Sequence, residues 1–319
     1  MRTYQNTCEG YHGVAPELEP ARPHDTNIVA IVGATASGKT DFSIELARQI
    51  ESNFATQAEI VPVDTKTTII DFPTGAAAPD QAQRQRLPHH MLDLFHAEEW
   101  VPHFTYQAMA RACTRDTTAR GRLPMLVGGS VHLMEALVYF DRELPLRHDP
   151  DNTFADMDYW KLMGFAFEHG LGLPFEGGER RLRNHVIERW ALRRERLRPP
   201  LAGTLVLGVH REPEELRQRI LARTERIFPD LYREWGAMIE RCNGFYPEQA
   251  KRTIGYGDFN PAVNNGRQPI QSIYDRTCDL AAWQVAEITH WMPHTQWVTS
   301  VDEGLALYTR HRAALASAE

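Results

Sequence analysis

The sequence has few cysteines, no long apolar run and no excess of positive charge. Its cysteines, Cys8, Cys113, Cys242 and Cys278, form no CxxC pair and show no metal-ligand spacing. A disulfide framework and a zinc site are therefore not expected, and a reducing cytoplasm is the simplest location. No run of about 18 apolar residues is present, so we expect no membrane span and no membrane partner. The net charge of −7 argues against gripping a polyanion by bulk electrostatics, although it leaves room for a local basic patch.

The composition is that of a globular protein. The chain has 319 residues, of which 42% are apolar and 24% charged, which excludes the disordered and fibrous classes. This length suits one large α/β domain or one such domain with an inserted lobe. Residues 1–26 contain Pro, Glu and Gly and no apolar core, so we expect a flexible leader rather than a signal peptide.

Short apolar runs separated by helical patterns predict a parallel sheet. The runs lie at 27–33, 59–64, 123–129 and 203–210, and the helical patterns at 41–50, 179–197, 214–226 and 274–291. Strands placed this far apart with helices between them form parallel sheets covered on both faces. Residues 139–200 contain many aromatics, then many arginines, and no strand pattern. We interpret them as a helical lobe inserted between core segments 27–138 and 201–319, the second of which completes the core and adds C-terminal helices.

Residues Gly33 to Thr40 read Gly-Ala-Thr-Ala-Ser-Gly-Lys-Thr and match the P-loop pattern GxxxxGK[ST], with a strand before and a helix after. The backbone N–H groups of such a loop cradle phosphate oxygens with the help of the helix N-terminus. Lys39 would contact the terminal phosphates and Thr40 would ligate magnesium. The sequence therefore predicts a P-loop NTPase-like α/β fold, and the loop alone indicates a kinase or NTPase. The predicted phosphate-binding residues are Gly33, Thr35, Ala36, Ser37, Gly38, Lys39 and Thr40.

Two strand ends supply further candidates. Asp64 ends the second strand, and the third strand ends in Gly-Gly-Ser130, where many NTPases carry a magnesium-binding Asp. The ligand crevice of an open parallel sheet lies at the carboxyl ends of its strands, so we expect Asp64 to face the P-loop. The alternative interpretations are that Asp64 caps the next segment and that Ser130 is an ordinary helix N-cap.

Four motifs together resemble those of the tRNA dimethylallyltransferase and adenylate isopentenyltransferase family. Gly33–Thr40 is similar to the family's GPTASGKT, and Pro88-His-His-Met-Leu-Asp93 to PHHLID. Gly121–Ser130 is similar to GKxPILVGGT, and Ile254-Gly-Tyr256 to IGY. The motifs follow the family order, and the resemblance covers most of the chain.

This resemblance implies transfer of a dimethylallyl group from dimethylallyl diphosphate, with magnesium, to the exocyclic amine of an adenine. It implies that Asp64 takes a proton from the amine and that Lys39 stabilises the leaving diphosphate. Ser130 matches a family hydroxyl near the reacting centre. A family arginine that holds the diphosphate from the lobe corresponds to one of Arg180, Arg181 or Arg183, with Arg181 favoured. The alternative for the arginines from Arg180 to Arg198 is a solvated helix face.

The acceptor side departs from the family. Where the family reads Asp-Ser-x-Gln-Val-Tyr, this chain has Thr65 and Thr67 in place of Ser and Gln, and Thr67 is too short to read an adenine edge as Gln does. The family's basic helix TRQxAKRQxTW corresponds to residues 277–291, which lack its Arg and Lys and contain Asp279 and Glu287.

These departures favour a small acceptor, such as a free adenine nucleotide or another amine, contacted by Thr65, Thr67 and His89. His89 and His90 lack further ligands at metal spacing, so we expect them to shape a loop over the crevice. The alternatives are a tRNA dimethylallyltransferase that modifies N6 of an anticodon-loop adenine, a P-loop kinase or NTPase, and a binding protein without catalysis.

Overall fold

The protein is described here by a computed structural model that covers residues 27–99, 101–140, 152–193 and 198–317. The predicted leader at 1–26 lies outside the described residues. One sheet has the strand order β2-β3-β1-β4-β5, and every neighbouring pair is parallel. The strands are Ile28–Val32 (β1), Ala58–Pro62 (β2), Leu123–Val127 (β3), Thr204–Val209 (β4) and Gln296–Val298 (β5). The predicted parallel α/β fold is thus confirmed, whereas sequence reasoning missed β5 because three residues give too short a pattern.

Helices cover both faces of the sheet. Alternate residues of β1 point to opposite sides: Val29 and Ile31 pack with the first and last helices, and Ala30 and Val32 with the third, fourth and tenth. No helix of the described residues has the length and apolar character needed to cross a membrane. The helices are Lys39–Phe54 (α1), Gln81–Arg86 (α2), His103–Ala119 (α3), Val131–Val138 (α4), Tyr159–Glu168 (α5), Glu179–Leu192 (α6), Pro213–Arg241 (α7), Glu248–Lys251 (α8), Pro261–Asn264 (α9), Pro269–Trp291 (α10) and Val301–Ala316 (α11).

The strand order places a crevice at the carboxyl ends of β1 and β3. The chain leaves β1 toward one edge of the sheet, where β2 lies, and leaves β3 toward the other edge, where β4 and β5 lie. Connections that diverge in this way open a gap between adjacent strands, and ligands of open α/β sheets bind there.

Helices α5 and α6 have an apolar cluster of their own, which includes Phe154, Leu162 and Val186. Arg183 donates to the backbone carbonyls of Phe154, Ala155 and Met157, and so fastens α6 to the segment before α5. Helix α6 ends at Leu192; the remainder of the predicted helix, 194–197, lies outside the described residues. The predicted lobe boundaries at 139 and 200 remain predictions, because residues 141–151 also lie outside the described residues.

A buried ionic cluster joins the α5–α6 lobe to the core. Arg189 on α6 has no exposed surface, and it donates to Glu135 of α4 at 2.6 Å and to Glu287 of α10 at 3.0 Å. Its guanidinium also lies 4.0 Å from the ring centre of Trp291. The interpretation of the arginines as a solvated face is therefore wrong for Arg189. Burial raises the pKa of both carboxyls, and Arg189 opposes that rise.

We predict that Arg189→Met lowers the free energy of unfolding at pH 7 by about 3–5 kcal/mol, because both glutamates would be left buried without a counter-charge. Urea denaturation measures the change. Adding Glu135→Gln and Glu287→Gln should restore much of the loss, and Arg180→Met, an exposed position on the same helix, should change it by less than about 0.5 kcal/mol. Equal losses in the two arginine variants would contradict this account.

Candidate active site

A cleft of about 1470 Å³ lies at the crevice. The P-loop, the carboxyl ends of β2 and β3, the loop before α2, and helices α6, α7 and α10 all contribute to its wall. Among the predicted site residues, those that line it are Thr35, Ala36, Gly38, Lys39, Thr40, Asp64, Thr65, Thr67, His89, Ser130 and Arg181.

The P-loop owes its shape to its glycines. Gly33 has φ +149° and Gly38 has φ +90°, which L side chains rarely adopt. A Cβ on Gly33 would also lie 2.8 Å from the carbonyl oxygen of Val209. Among the described residues the buried hydroxyl of Ser37 has no hydrogen-bond partner, and neither Gly33 nor Ser37 is among the residues that line the cleft. The N–H of Thr35 is already paired, since it donates to Oε1 of Gln284 on α10 at 2.7 Å.

Lys39 is held by carbonyl groups of its own loop. Its Nζ donates to the carbonyl oxygens of Gly33 at 3.1 Å and Ala34 at 2.7 Å. Burial lowers its pKa to about 8; the charge of Asp64 opposes this decrease and that of Arg223 adds to it. Binding a phosphate here would raise this pKa, because an anion favours the protonated form.

Asp64 follows β2 and begins a 3-10 turn, Thr65–Thr68. Its Oδ1 accepts the N–H of Lys66 at 2.9 Å, so the capping interpretation is correct for one oxygen. Capping does not exclude a base, because the side chain still lines the cleft. Burial raises the pKa of this carboxyl, and its hydrogen bond and the charges of Lys66 and Lys39 oppose that rise.

Ser130 occupies the N-cap position of α4, but its side chain makes no capping hydrogen bond. Its hydroxyl is thus not committed to the helix, and the residue lines the cleft. The two preceding glycines permit this approach: a Cβ on Gly128 would lie 2.1 Å from the Val63 carbonyl oxygen, and one on Gly129 would lie 2.5 Å from Nε2 of Gln284.

The predicted acceptor residues differ in what they can offer. Thr67 is buried and its hydroxyl donates to the Asp64 carbonyl at 2.8 Å, so it is committed within the turn. His89 pairs Nδ1 with the Leu87 carbonyl at 2.7 Å, and its Nε2 is buried without a partner. Burial lowers the pKa of His89 to about 4, which makes the ring neutral at pH 7 with Nε2 as acceptor. His90 instead bonds Glu59 at 2.7 Å, away from the cleft.

The IGY motif supports the cleft wall from behind. Tyr256 is fully buried and stacks on Phe72 at 4.6 Å between ring centres. Its hydroxyl accepts the N–H of Gly75 at 3.0 Å, and a Cβ on Gly75 would lie 2.3 Å from the Tyr256 ring. Residues 73–80 beside this contact line the cleft, so Tyr256 fixes a loop of the site, and Ile254 of the same motif lines the cleft itself.

The structure brings in cations that the sequence reasoning missed. Arg219, Arg223 and Arg226 of α7 face the cleft at i, i+4 and i+7 spacing, and Nε of Arg219 donates to the Ala36 carbonyl at 2.9 Å. The helical pattern at 214–226, together with this spacing of the three arginines, could have predicted that they share one face of the helix. In the described residues the cleft is lined by eight cations, Lys39, Lys66, Arg84, Arg181, Arg219, Arg223, Arg226 and Arg252, against the carboxylates of Asp41, Asp64, Asp80 and Asp230. The cleft is therefore locally positive although the whole chain has a net charge of −7.

Helix α10 exposes only one of the two acids that its sequence suggested, Asp279. Glu287 is buried against Arg189, so it does not repel an acceptor. Gln284 bridges the P-loop and the Gly129 carbonyl, the latter at 2.9 Å. Trp283 lines the cleft beside Phe175, with ring centres 5.9 Å apart, and donates Nε1–H to the Leu173 carbonyl at 2.8 Å.

The residues fit a magnesium ion held mainly by phosphate and water. Within the described part of the chain, no group of three or more His, Cys, Asp or Glu side chains could hold a metal. Thr40 lines the cleft at the start of α1 and offers one hydroxyl. Magnesium in phosphate sites commonly takes few protein ligands and keeps several waters.

Comparisons with known proteins agree with this geometry. A family model described as IPP transferase matches residues 70–158. The chain is 30% identical over 302 residues to the tRNA dimethylallyltransferase of Nocardia farcinica, covering 87% of this chain and 91% of that protein. It is 29% identical to that of Prochlorococcus marinus, covering 82% and 89%.

Solved structures share the fold. The tRNA isopentenylpyrophosphate transferase of Bacillus halodurans has a TM-score of 0.65 and 21% identity, covering 91% of this chain and 97% of its own. A eukaryotic dimethylallyltransferase acting on tRNA has a TM-score of 0.63 and 19% identity, covering 86% and 74%.

We predict that affinity for an unreactive diphosphate ligand is fully present below about pH 8 and falls above it, because Lys39 loses its proton as pH rises through about 8 in the free protein. The decrease should reach up to about tenfold per pH unit. Titration of the thiolo analogue of dimethylallyl diphosphate at several pH values measures it. Lys39→Arg, which stays charged, should lose this decrease; an unchanged profile in that variant would assign it to another group.

Proposed function

This chain belongs to the IPP transferase family and is an enzyme that transfers a dimethylallyl group, and from that premise we propose that the donor is dimethylallyl diphosphate and the acceptor an adenine in tRNA. The observation that carries the proposal is the position of Asp64. Its carboxylate lines a cation-rich cleft in electrostatic contact with Lys39 of the P-loop, so a base and a diphosphate site adjoin one another.

The donor site in this proposal is the P-loop with cations from α7. Lys39 and Arg223, which line the cleft, would meet the diphosphate oxygens. Arg223 is deeply placed, and burial lowers its pKa, as expected for a cation that awaits an anion. Thr40 would hold magnesium, which when bound neutralises charge on the departing diphosphate.

The reaction is a displacement at carbon. The bond from the adenine exocyclic nitrogen to the allylic carbon forms as the bond from that carbon to the diphosphate oxygen breaks. The amine proton passes to the Asp64 carboxylate, and inorganic diphosphate leaves on the P-loop. A neutral amine is a weak nucleophile, so a carboxylate placed to take its proton assists the attack. Lys39 and Arg223 oppose the negative charge that develops on the leaving group. The Ser130 hydroxyl stays a predicted contact near the reacting centre.

The acceptor is better interpreted as tRNA than as the small molecule that the sequence favoured. The relatives reported above are named for action on tRNA. One premise of the small-acceptor interpretation also fails, because Glu287 is buried rather than displayed. The positive charge missing from α10 is supplied elsewhere, by arginines of α7 and α8 and by Lys66. RNA phosphates are bound by such local charge whatever the net charge of the chain.

Labelled dimethylallyl diphosphate incubated with unmodified tRNA, AMP and ATP tests the proposal. We expect label in tRNA adenine. If only AMP became labelled, the acceptor would be a small nucleotide rather than tRNA. Hydrolysis of ATP with no transfer of label would replace the proposal by a P-loop NTPase.

We predict that Asp64→Asn lowers kcat by about 10²–10⁴-fold, the usual contribution of a general base, while the affinity for the donor analogue changes little. Asp230→Asn is the matched control, since Asp230 also lines the cleft and pairs with Arg233 near the surface. Near wild-type turnover by Asp64→Asn would remove its assigned role.

A second variant examines the donor site. Arg223→Gln should raise the KM for dimethylallyl diphosphate by about tenfold or more, as expected for one hydrogen bond to a charged group. Arg217→Gln removes a charge from the exposed side of the same helix, where Arg217 faces Glu214, and should leave that KM unchanged. If both variants had the same KM for dimethylallyl diphosphate, Arg223 would not be a diphosphate ligand.

A further inference from the structure

A second group of cations lies on the other flank of Asp64. Lys66 belongs to the turn after Asp64, Arg181 to the first turn of α6, and Arg252 to the end of α8, and all three line the cleft. We propose that these three side chains bind a backbone phosphate of the acceptor RNA that flanks the target adenosine. The inference rests on the proposed function and names a site within it.

Each cation is positioned without being neutralised. Nζ of Lys66 donates to Oε1 of Gln249 on α8 at 2.8 Å, and no carboxylate of the described residues lies within ion-pair distance of it. The nearest carboxylate to Arg252 is that of Glu248 at 3.7 Å, and Glu248 lies closer to Lys251, at 2.6 Å. Neutral or distant partners hold these groups in place and leave their charge available.

Arg181 reaches the cleft by folding over a glycine. Gly177 has φ +114°, and a Cβ there would lie 2.4 Å from Cδ of Arg181, so this path requires glycine. The acid that interacts with Arg181 is Glu176, but Arg276 already takes both its oxygens, at 2.7 and 2.9 Å. Arg181 therefore gains little compensation from Glu176.

Lys66, Arg181 and Arg252 line the same cleft, and their mutual repulsion would be relieved by a bound anion. Burial chiefly lowers the pKa of Lys66 to about 8, and Arg252 and Arg181 add to the decrease while Asp64 opposes it. A phosphate accepts several charge-assisted hydrogen bonds at once, and arginine pairs with it through two parallel bonds. A phosphate group suits these three side chains because its oxygens can accept from all three donors.

The position beside Asp64 assigns this phosphate to the acceptor rather than the donor. Lys39 interacts with Asp64 and Arg223, whereas Lys66 interacts with Asp64, Arg252 and Arg181. The two cation groups therefore share only Asp64. In a displacement the nucleophile and the leaving group lie on opposite sides of the reacting carbon. If the diphosphate is on the P-loop, the groups across Asp64 face the adenosine and its phosphates. This moves Arg181 from the diphosphate, its predicted ligand, to the acceptor.

Kinetics with an anticodon stem–loop RNA as acceptor test the site. Lys66→Gln and Arg252→Gln should each lower kcat/KM for the RNA by about tenfold or more. The slope of log(kcat/KM) against log salt should decrease by about 0.7 for each lost contact. The KM for dimethylallyl diphosphate should stay unchanged. Lys251→Gln is the matched control, since it removes the adjacent charge outside the cleft lining.

A chemically altered RNA identifies the phosphate. A stem–loop with a neutral methylphosphonate in the linkage next to the target adenosine should cost the wild type at least as much as either variant loses, because it removes the charge that all three cations contact. The same RNA should cost Lys66→Gln or Arg252→Gln less than it costs the wild type, because one of the three contacts is already gone. Fully additive losses would overturn the proposal, and so would a raised KM for the donor with an unchanged KM for the RNA.

Two further outcomes keep this inference separate from the proposed function. If the wild-type protein labels no RNA, the proposed acceptor is wrong. If it labels RNA and both variants behave as Lys251→Gln does, only the phosphate site is wrong. AMP is the other source of an adenosine phosphate; variants that impair transfer to AMP but not to RNA would assign the site to a free nucleotide and contradict the inference.

Discussion

The ammonium group of Lys39 and the carboxylate of Asp64 are both largely buried at the same cleft. Much of the site depends on the interaction between these two charges. Burial disfavours the charge on Lys39 and on Asp64, and each charge opposes the effect of burial on the other. Both come from loops that follow strands, so the sheet fixes their separation. Glycine at positions 33 and 128 lets strand ends pack closely on their neighbours, since a Cβ on Gly33 would collide with the Val209 carbonyl and one on Gly128 with the Val63 carbonyl. The cleft thus places the proposed base beside the proposed diphosphate site.

The second requirement is positive charge near these two groups in a chain that is acidic overall. The fold meets it by drawing cations from separate elements: Arg223 from α7, Arg252 from α8 and Arg181 from α6. The lobe that carries Arg181 is anchored through Arg189, whose two glutamate partners sit on α4 and α10. A buried ion triad is weak grounds for stability by itself, but here it sets the position of α6 relative to the core. The electrostatics of the cleft therefore depend on a contact that does not touch it.

Local sequence predicted the parts of the site that are contiguous. The P-loop, the four longer strands and the ends of two of them at Asp64 and Ser130 follow from short-range patterns, because strand, turn and helix start within a few residues. What the sequence did not reveal depends on distant pairs. Gln284 reaches Thr35 across 249 positions, and Arg189 reaches Glu287 across 98. An arginine run gives no sign of which member turns inward, and residue spacing cannot tell a capping Asp64 from a catalytic one.

The acceptor shows why a local substitution can mislead. On α10 the family's basic residues are absent and Glu287 is present, and as a surface pattern this indicates a loss of RNA affinity. A helix has two faces, however, and Glu287 lies on the buried one, where its carboxylate pairs with Arg189. The face toward the cleft carries Trp283 and Gln284, which are neutral. The attraction for a polyanion then depends on other walls of the same cleft, and there Lys66 and the arginines of α6, α7 and α8 stand without equal numbers of acids. The charge relevant to an acceptor is that of the surface the acceptor meets, and along this cleft eight cations face four carboxylates, which favours the proposed RNA acceptor.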